Sequence, residues 1–104
     1  PKVGASWEGF AIRQIIERLG ARPRECFFWG LHTGAELDLM IVQGGRRRGF
    51  EVKLTDSPKV TPSIRSAVDN LRLERLDVVY PGPNAYSLGE KVRALPLREL
   101  WGGG

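Results

Sequence analysis

The chain has 104 residues, with one cysteine, one histidine and one methionine. A single cysteine, Cys26, excludes an internal disulfide and fits a reducing, cytoplasmic home. Cys26 and His32 alone are too few for a structural zinc site, which takes about four N/S ligands. No apolar run approaches the roughly 20 residues of a membrane helix, and no charged-then-apolar leader opens the chain. No membrane partner is therefore expected. A glycine-rich loop ending in Gly-Lys-Ser or Gly-Lys-Thr is also missing, which excludes ATP binding by that route. There is no internal repeat, and no low-complexity segment beyond Gly102-Gly103-Gly104. A chain this short makes one domain, residues 1–104 with a core at about 6–100, around one hydrophobic interior. Its start at Pro1 and its glycine tail read as a segment of a longer protein.

Arginine is plentiful. Sixteen Lys and Arg against twelve Asp and Glu leave a formal net charge of +4, compatible with a phosphate-backbone partner.

The first predicted element is a helix over Ser6–Leu19, with Ser6 as N-cap and Gly20 as stop. At about 100° per residue, Trp7, Ala11, Ile12, Ile15, Ile16 and Leu19 fill one arc. Glu8 falls within that arc. It either bends to solvent and interacts with the helix dipole, or aims a carboxylate inward at a polar site. After a loop at Pro23, Cys26–Trp29 reads as a short strand, and Leu31–Gly34 as a polar turn. His32 and Thr33 either reach a site or cap that turn.

The segment from Gly34 to Leu54 reads as a hairpin closed by Gly44-Gly45, since both positions of such a loop prefer positive φ. Gln43 then pairs with Arg46, and Asp38 falls opposite Glu51. Like charges facing each other across a ladder are destabilising, so the arrangement calls for a counterion. Alternation puts Asp38, Met40 and Val42 on one face, and Leu37, Leu39 and Ile41 on the other. Both faces are largely apolar, which implies a sheet covered on both sides. Arg46, Arg47 and Arg48 lie near the tip, as a solvated charge run or as phosphate contacts.

Thr61-Pro62 is an N-cap followed by proline at the first helical position. The helix it opens runs to about Leu73, with Ile64, Ala67, Val68 and Leu71 on one face. Leu76–Tyr80 reads as a continuous apolar strand, so the segment from Phe50 to Tyr80 forms a βαβ crossover. A last strand is predicted at Lys91–Leu95, and a terminal helical turn after it. The expected architecture is α/β: an αβββαβ core with a mixed central sheet and helices on both faces.

Asp38 and Glu51-Val52-Lys53 have the spacing of a metal-dependent nuclease core. Mg²⁺ or Mn²⁺ is held by one or two carboxylates plus water and substrate oxygens. Facing carboxylates have Cβ atoms about 5 Å apart. Asp38 and Glu51 are the candidate metal ligands, with the Val52 carbonyl and an inward Glu8 as additional ones. Lys53 shares the face of Glu51 and is placed to hold the attacking water or offset phosphate charge. The competing reading is a buried ion pair of Lys53 with Asp38 or Glu51, which leaves acid uncompensated. Arg46, Arg47, Arg48, Lys59 and Arg65 are candidate nucleic-acid contacts.

These segments also carry a family resemblance. SWEGFAIRQIIERLG, FFWGLHTGAELDLMIVQGGRRRGFEVKL, VTPSIRSAVDNL and LDVVYPG resemble the C-terminal domain of prokaryotic AAA+-type ATPases, a domain of unknown function. That domain looks like a member of the PD-(D/E)XK restriction-endonuclease-like superfamily. The superfamily pattern falls on Asp38, Glu51 and Lys53, with Glu8 as the acid of the first helix. Leu37 stands where the superfamily's name has proline. The resemblance implies a restriction-endonuclease-like core, Mg²⁺- or Mn²⁺-dependent hydrolysis of DNA, and an ATPase module preceding Pro1. A homodimer is compatible with it. The alternative expectation is a catalytically silent nucleic-acid or protein docking module of that ATPase, and a third is a charged cluster of structural value only.

Overall fold

The computed structural model describes residues 3–28 and 37–102. Helix α1 spans Val3–Leu19. It starts ahead of Ser6, which therefore lies inside the helix and is not its cap. Its apolar arc forms as the periodicity predicts. Ala11 and Ile15 are fully buried, while Trp7, Ile12, Ile16 and Leu19 flank them. The helix ends with Gly20 at φ +62°. There the amide N–H groups of Gly20 and Ala21 donate to the carbonyls of Glu17 (3.1 Å) and Ile16 (3.0 Å). A left-handed residue closes a helix at low cost when it has no Cβ.

A 3₁₀ turn at Pro23–Glu25 leads to β1 (Cys26–Phe28), and then come β2 (Leu39–Gln43) and β3 (Arg46–Val52). Gly44 and Gly45 both take positive φ, +56° and +80°, so the hairpin closes on a two-residue loop. Its register runs from Gln43↔Arg46 to Leu39↔Phe50, as counting from the glycines predicts. The predicted turn at His32 and Thr33 lies outside the described residues.

Helix α2 spans Pro62–Asn70, and the Thr61 side chain accepts the Ile64 N–H at 3.2 Å. It stops short of Leu73, because Arg72 adopts φ +53° and turns the chain. Leu73 is then freed from the helix to bury itself beneath it. Strand β4 (Arg75–Tyr80) returns parallel to β3, completing the expected crossover. Two strands follow, β5 (Tyr86–Gly89) and β6 (Val92–Pro96), before a short α3 (Glu99–Gly102). Strand β5 was not anticipated. It is a mostly exposed edge strand, so it carries no in–out apolar pattern to read.

The sheet is mixed and six-stranded, in the order β1-β2-β3-β4-β6-β5. Neighbours pair antiparallel except β3–β4 and β4–β6. Each face carries its own core. Helix α1 covers Leu39, Ile41, Phe50, Val52 and Val79. Helix α2 covers Met40, Leu76, Val78 and Val92. Leu37 belongs to this second cluster, not with Leu39 and Ile41. It precedes β2, so strand alternation does not govern it. Among the described residues, no helix is long and apolar enough to cross a membrane.

Candidate metal centre

Asp38 sits one residue before β2, just past the last paired position Leu39↔Phe50, and its charge acts on Glu51. Its amide donates to the Phe50 carbonyl at 3.1 Å. Its carboxylate does something the ladder count does not foresee. Oδ2 accepts the Val52 N–H at 2.8 Å, taking the place of a backbone acceptor and anchoring the side chain against β3. Val52 thus supplies an N–H to the site, while its own side chain packs on the α1 side.

Glu51 projects from the opposite face of β3, the α2 side. Only 5% of its surface is exposed. Lys53 brings its Nζ to 3.1 Å from Oε2, and its amide donates to the Val79 carbonyl at 2.9 Å. The other oxygen, Oε1, is buried without a hydrogen-bond partner. Burial, then the nearby Asp38 charge, and least a hydrogen bond that the protonated acid makes to Asp38, push the Glu51 carboxyl up to about 7, against the opposing pull of Lys53. A buried acid next to a second acid resists ionisation unless a cation offsets both.

The expected ion pair of Lys53 with Glu51 is therefore present, between a buried carboxylate and a half-exposed lysine, and it compensates one oxygen of one acid. Two hard carboxylate groups, one with an orphaned oxygen, suit a cation such as Mg²⁺ or Mn²⁺. Glu8 does not complete the set. It is exposed on α1, and no group of three or more His, Cys, Asp or Glu comes together among the described residues. A position in the apolar arc near the start of a helix leaves room for a long side chain to reach water.

The arginines divide between the two sheet faces. Arg47 shares the face of Glu51, and its Nη1 donates to the Leu71 carbonyl at 3.0 Å. Arg46 is exposed and lies 3.7 Å from Glu74. Lys59 is exposed. Arg65 braces α2 against the β5–β6 turn through the Glu90 carbonyl at 2.6 Å. Arg48 departs from the expectation of a solvated tip. It lies over the Phe50 ring at 5.3 Å and turns inward toward Asp77.

Asp77 was missed by reading β4 as wholly apolar. It is 1% exposed and projects from the α1 face between Phe50 and Arg93. Arg93 Nε reaches its Oδ1 at 2.7 Å, Arg75 Nε the same oxygen at 3.5 Å, and Arg48 Nη2 its Oδ2 at 3.6 Å. An acid inside a buried strand needs a cationic partner. Arg75, two residues away and hence on the same face, was the available signal.

A family model described as "Domain of unknown function (DUF4143)" matches residues 3–100. Two mycobacterial relatives are each 42% identical over 100 residues, covering 96% of this chain and 22% of their own length. They are the uncharacterized proteins Mb2031c of Mycobacterium bovis and Rv2008c of Mycobacterium tuberculosis. The chain thus spans about a fifth of the curated relatives it matches. No solved structure matches it.

Proposed function

The chain belongs to the DUF4143 family, and we propose that it is a metal-dependent phosphodiesterase domain of the PD-(D/E)XK type, acting on DNA. The observation that carries this reading is the buried, partnerless Oε1 of Glu51 beside a second carboxylate and a lysine. Asp38 and Glu51 would hold a divalent cation. Once bound, such a cation polarises a phosphate and lowers the pKa of its water.

The chain's own residues then have defined tasks. The Val52 N–H fixes Asp38 Oδ2 and so holds this carboxylate near Glu51. Lys53, on the same face with its Nζ 3.1 Å from Glu51 Oε2, would hold a water or a phosphate oxygen there. Arg46, Arg47 and Lys59 are exposed cations suited to a DNA backbone, whose phosphates attract such groups. The relatives' greater length is compatible with an N-terminal ATPase module in the same polypeptide.

The test is Mn²⁺ binding and Mn²⁺-dependent cleavage of duplex, single-stranded and branched DNA, with Asp38→Ala alongside. Binding and cleavage by the wild type, both lost in the variant, are expected. Equal cleavage by the two proteins would sink the assignment. A second reading, a catalytically silent docking module, is favoured by the Lys53–Glu51 pair, which already answers part of the acid's charge. Salt-sensitive DNA binding without cleavage under any metal would favour it.

A further inference from the structure

The α1 face of the sheet holds a surplus of the opposite sign. Three guanidiniums lie within 3.6 Å of Asp77, so one buried negative charge meets three positive ones. Each guanidinium has about five N–H donors, whereas a carboxylate offers about four acceptor sites. The mismatch is visible as buried donors that make no hydrogen bond: Arg48 Nε, and Arg75 Nε, which is held to Asp77 Oδ1 only as an ion pair at 3.5 Å. Burying a donor unsatisfied costs roughly 1–3 kcal/mol. Burial of Arg48 and the charges of Arg75 and Arg93 lower its pKa, against the pull of Asp77.

Arg48 and Arg93 open onto a cavity of about 400 Å³ between the end of α1, the sheet and α3. Arg18 lines it from α1, and its Nε donates to the Leu100 carbonyl at 3.0 Å. Leu19, Leu95 and Leu100 supply apolar wall, and Glu99 stands at its lining as the one acid. The volume lies in the range of small-molecule sites, roughly 300–1,000 Å³, and exceeds what a bare phosphate needs.

We propose that this cavity is a binding site for a phosphorylated small molecule, its phosphate held by Arg48, Arg93 and Arg18, with AMP as the probe that carries both a phosphate and an organic part. Arginine's planar fork matches a phosphate's paired oxygens. Asp77 is the positioning residue: its carboxylate holds Arg93 and Arg48 side by side. The leucine wall takes the organic part of the ligand, and Glu99 repels a second negative group. The site lies on the sheet face opposite Asp38 and Glu51 and does not rest on the metal-centre reading.

Calorimetric titration of the protein with AMP, adenosine and inorganic phosphate, at ionic strength held with NaCl, tests it. AMP is expected to bind at least about tenfold more tightly than adenosine and more tightly than phosphate alone, as a charge-assisted contact plus apolar wall requires. Arg48→Lys keeps the charge but loses the fork, and Arg18→Ala removes a cation that is not an Asp77 partner. Each should weaken AMP roughly tenfold, while Arg24→Ala, on the 3₁₀ turn, should not. Circular dichroism checks that the variants are folded, and Arg18→Ala serves if Arg48→Lys is not. Phosphate bound as tightly as AMP would overturn the organic-ligand part of the proposal. AMP binding no tighter than adenosine, or unchanged in both cavity variants, would overturn the site. So would duplex DNA engaging these arginines while AMP does not bind.

Discussion

The two faces of one sheet bury charge in opposite ways. On the α2 side, Glu51 pairs with one lysine while the Asp38 charge stands nearby. On the α1 side, Asp77 is shared by three arginines. Both clusters sit on central strands, where desolvation makes any unbalanced charge expensive. The acid pair responds by titration: Glu51 rises to about 7 and can take up a proton. Arginines cannot discharge in this way, because they keep their proton at any ordinary pH. They therefore stay partly exposed, with side chains 24% to 41% accessible, and Arg48 and Arg93 line a cavity. The sign left uncompensated on each face indicates which ligand it would accept, a cation on one and an anion on the other.

The comparison breaks most severely at Asp77. Asp77→Ala leaves three arginines around an empty position. Removing one partner of a buried charge cluster typically costs about 3–5 kcal/mol, so urea unfolding should show a loss of that order. A loss below about 1 kcal/mol, the range of exposed ion pairs, would mean that solvent already satisfies the arginines.

The Glu51 side is sharpened by pH. Its folded-state pKa stands above the ordinary carboxyl value, 4.5 against about 7, so the native state binds this proton more tightly than the unfolded chain does. Its contribution to stability is fully present below pH 4.5 and is lost as pH rises through about 7. At 1.36 kcal/mol per unit, the loss is about 3 kcal/mol. Glu51→Gln should flatten this part of the metal-free stability profile and be the more stable protein at pH 8. Parallel profiles for the two proteins would show that Glu51 ionises without penalty.

The smallest effect belongs to the rim. Arg46 pairs with Glu74 at 3.7 Å, and both are largely exposed. Arg46→Ala should change unfolding stability by less than about 1 kcal/mol, while Arg48→Ala, two register positions inward on the same face, should cost several times more. Equal costs would erase the distinction between tip and buried cluster.

Much of this arrangement was legible beforehand because it is governed locally. Gly44-Gly45 dictated the hairpin loop, and with it the register from Gln43↔Arg46 to Leu39↔Phe50 that brings Asp38 near Glu51. Thr61-Pro62 marked the start of α2, and the arc from Trp7 to Leu19 identified the buried side of α1. The misreadings share a different cause. Leu37 crosses to the other core because it lies just outside the strand that alternation describes. Arg48 leaves the hairpin tip for Asp77, an attraction between residues 29 positions apart in the chain. Strand β5 exists because β6 offers it an edge, and its own residues bury too little to announce it. Glu8 points to water although its helical angle allowed either course.

By itself the sequence determined periodicities, caps and one turn, and therefore the acidic pair, whose members meet across a two-residue loop. Only the tertiary structure decided how charge is distributed between the faces. Parallel pairing of β3, β4 and β6 brings Arg48, Asp77 and Arg93 side by side from three separate stretches. No local rule joins them, because their proximity follows from crossover connections and from burial, which makes an unpaired Asp77 too costly to leave alone.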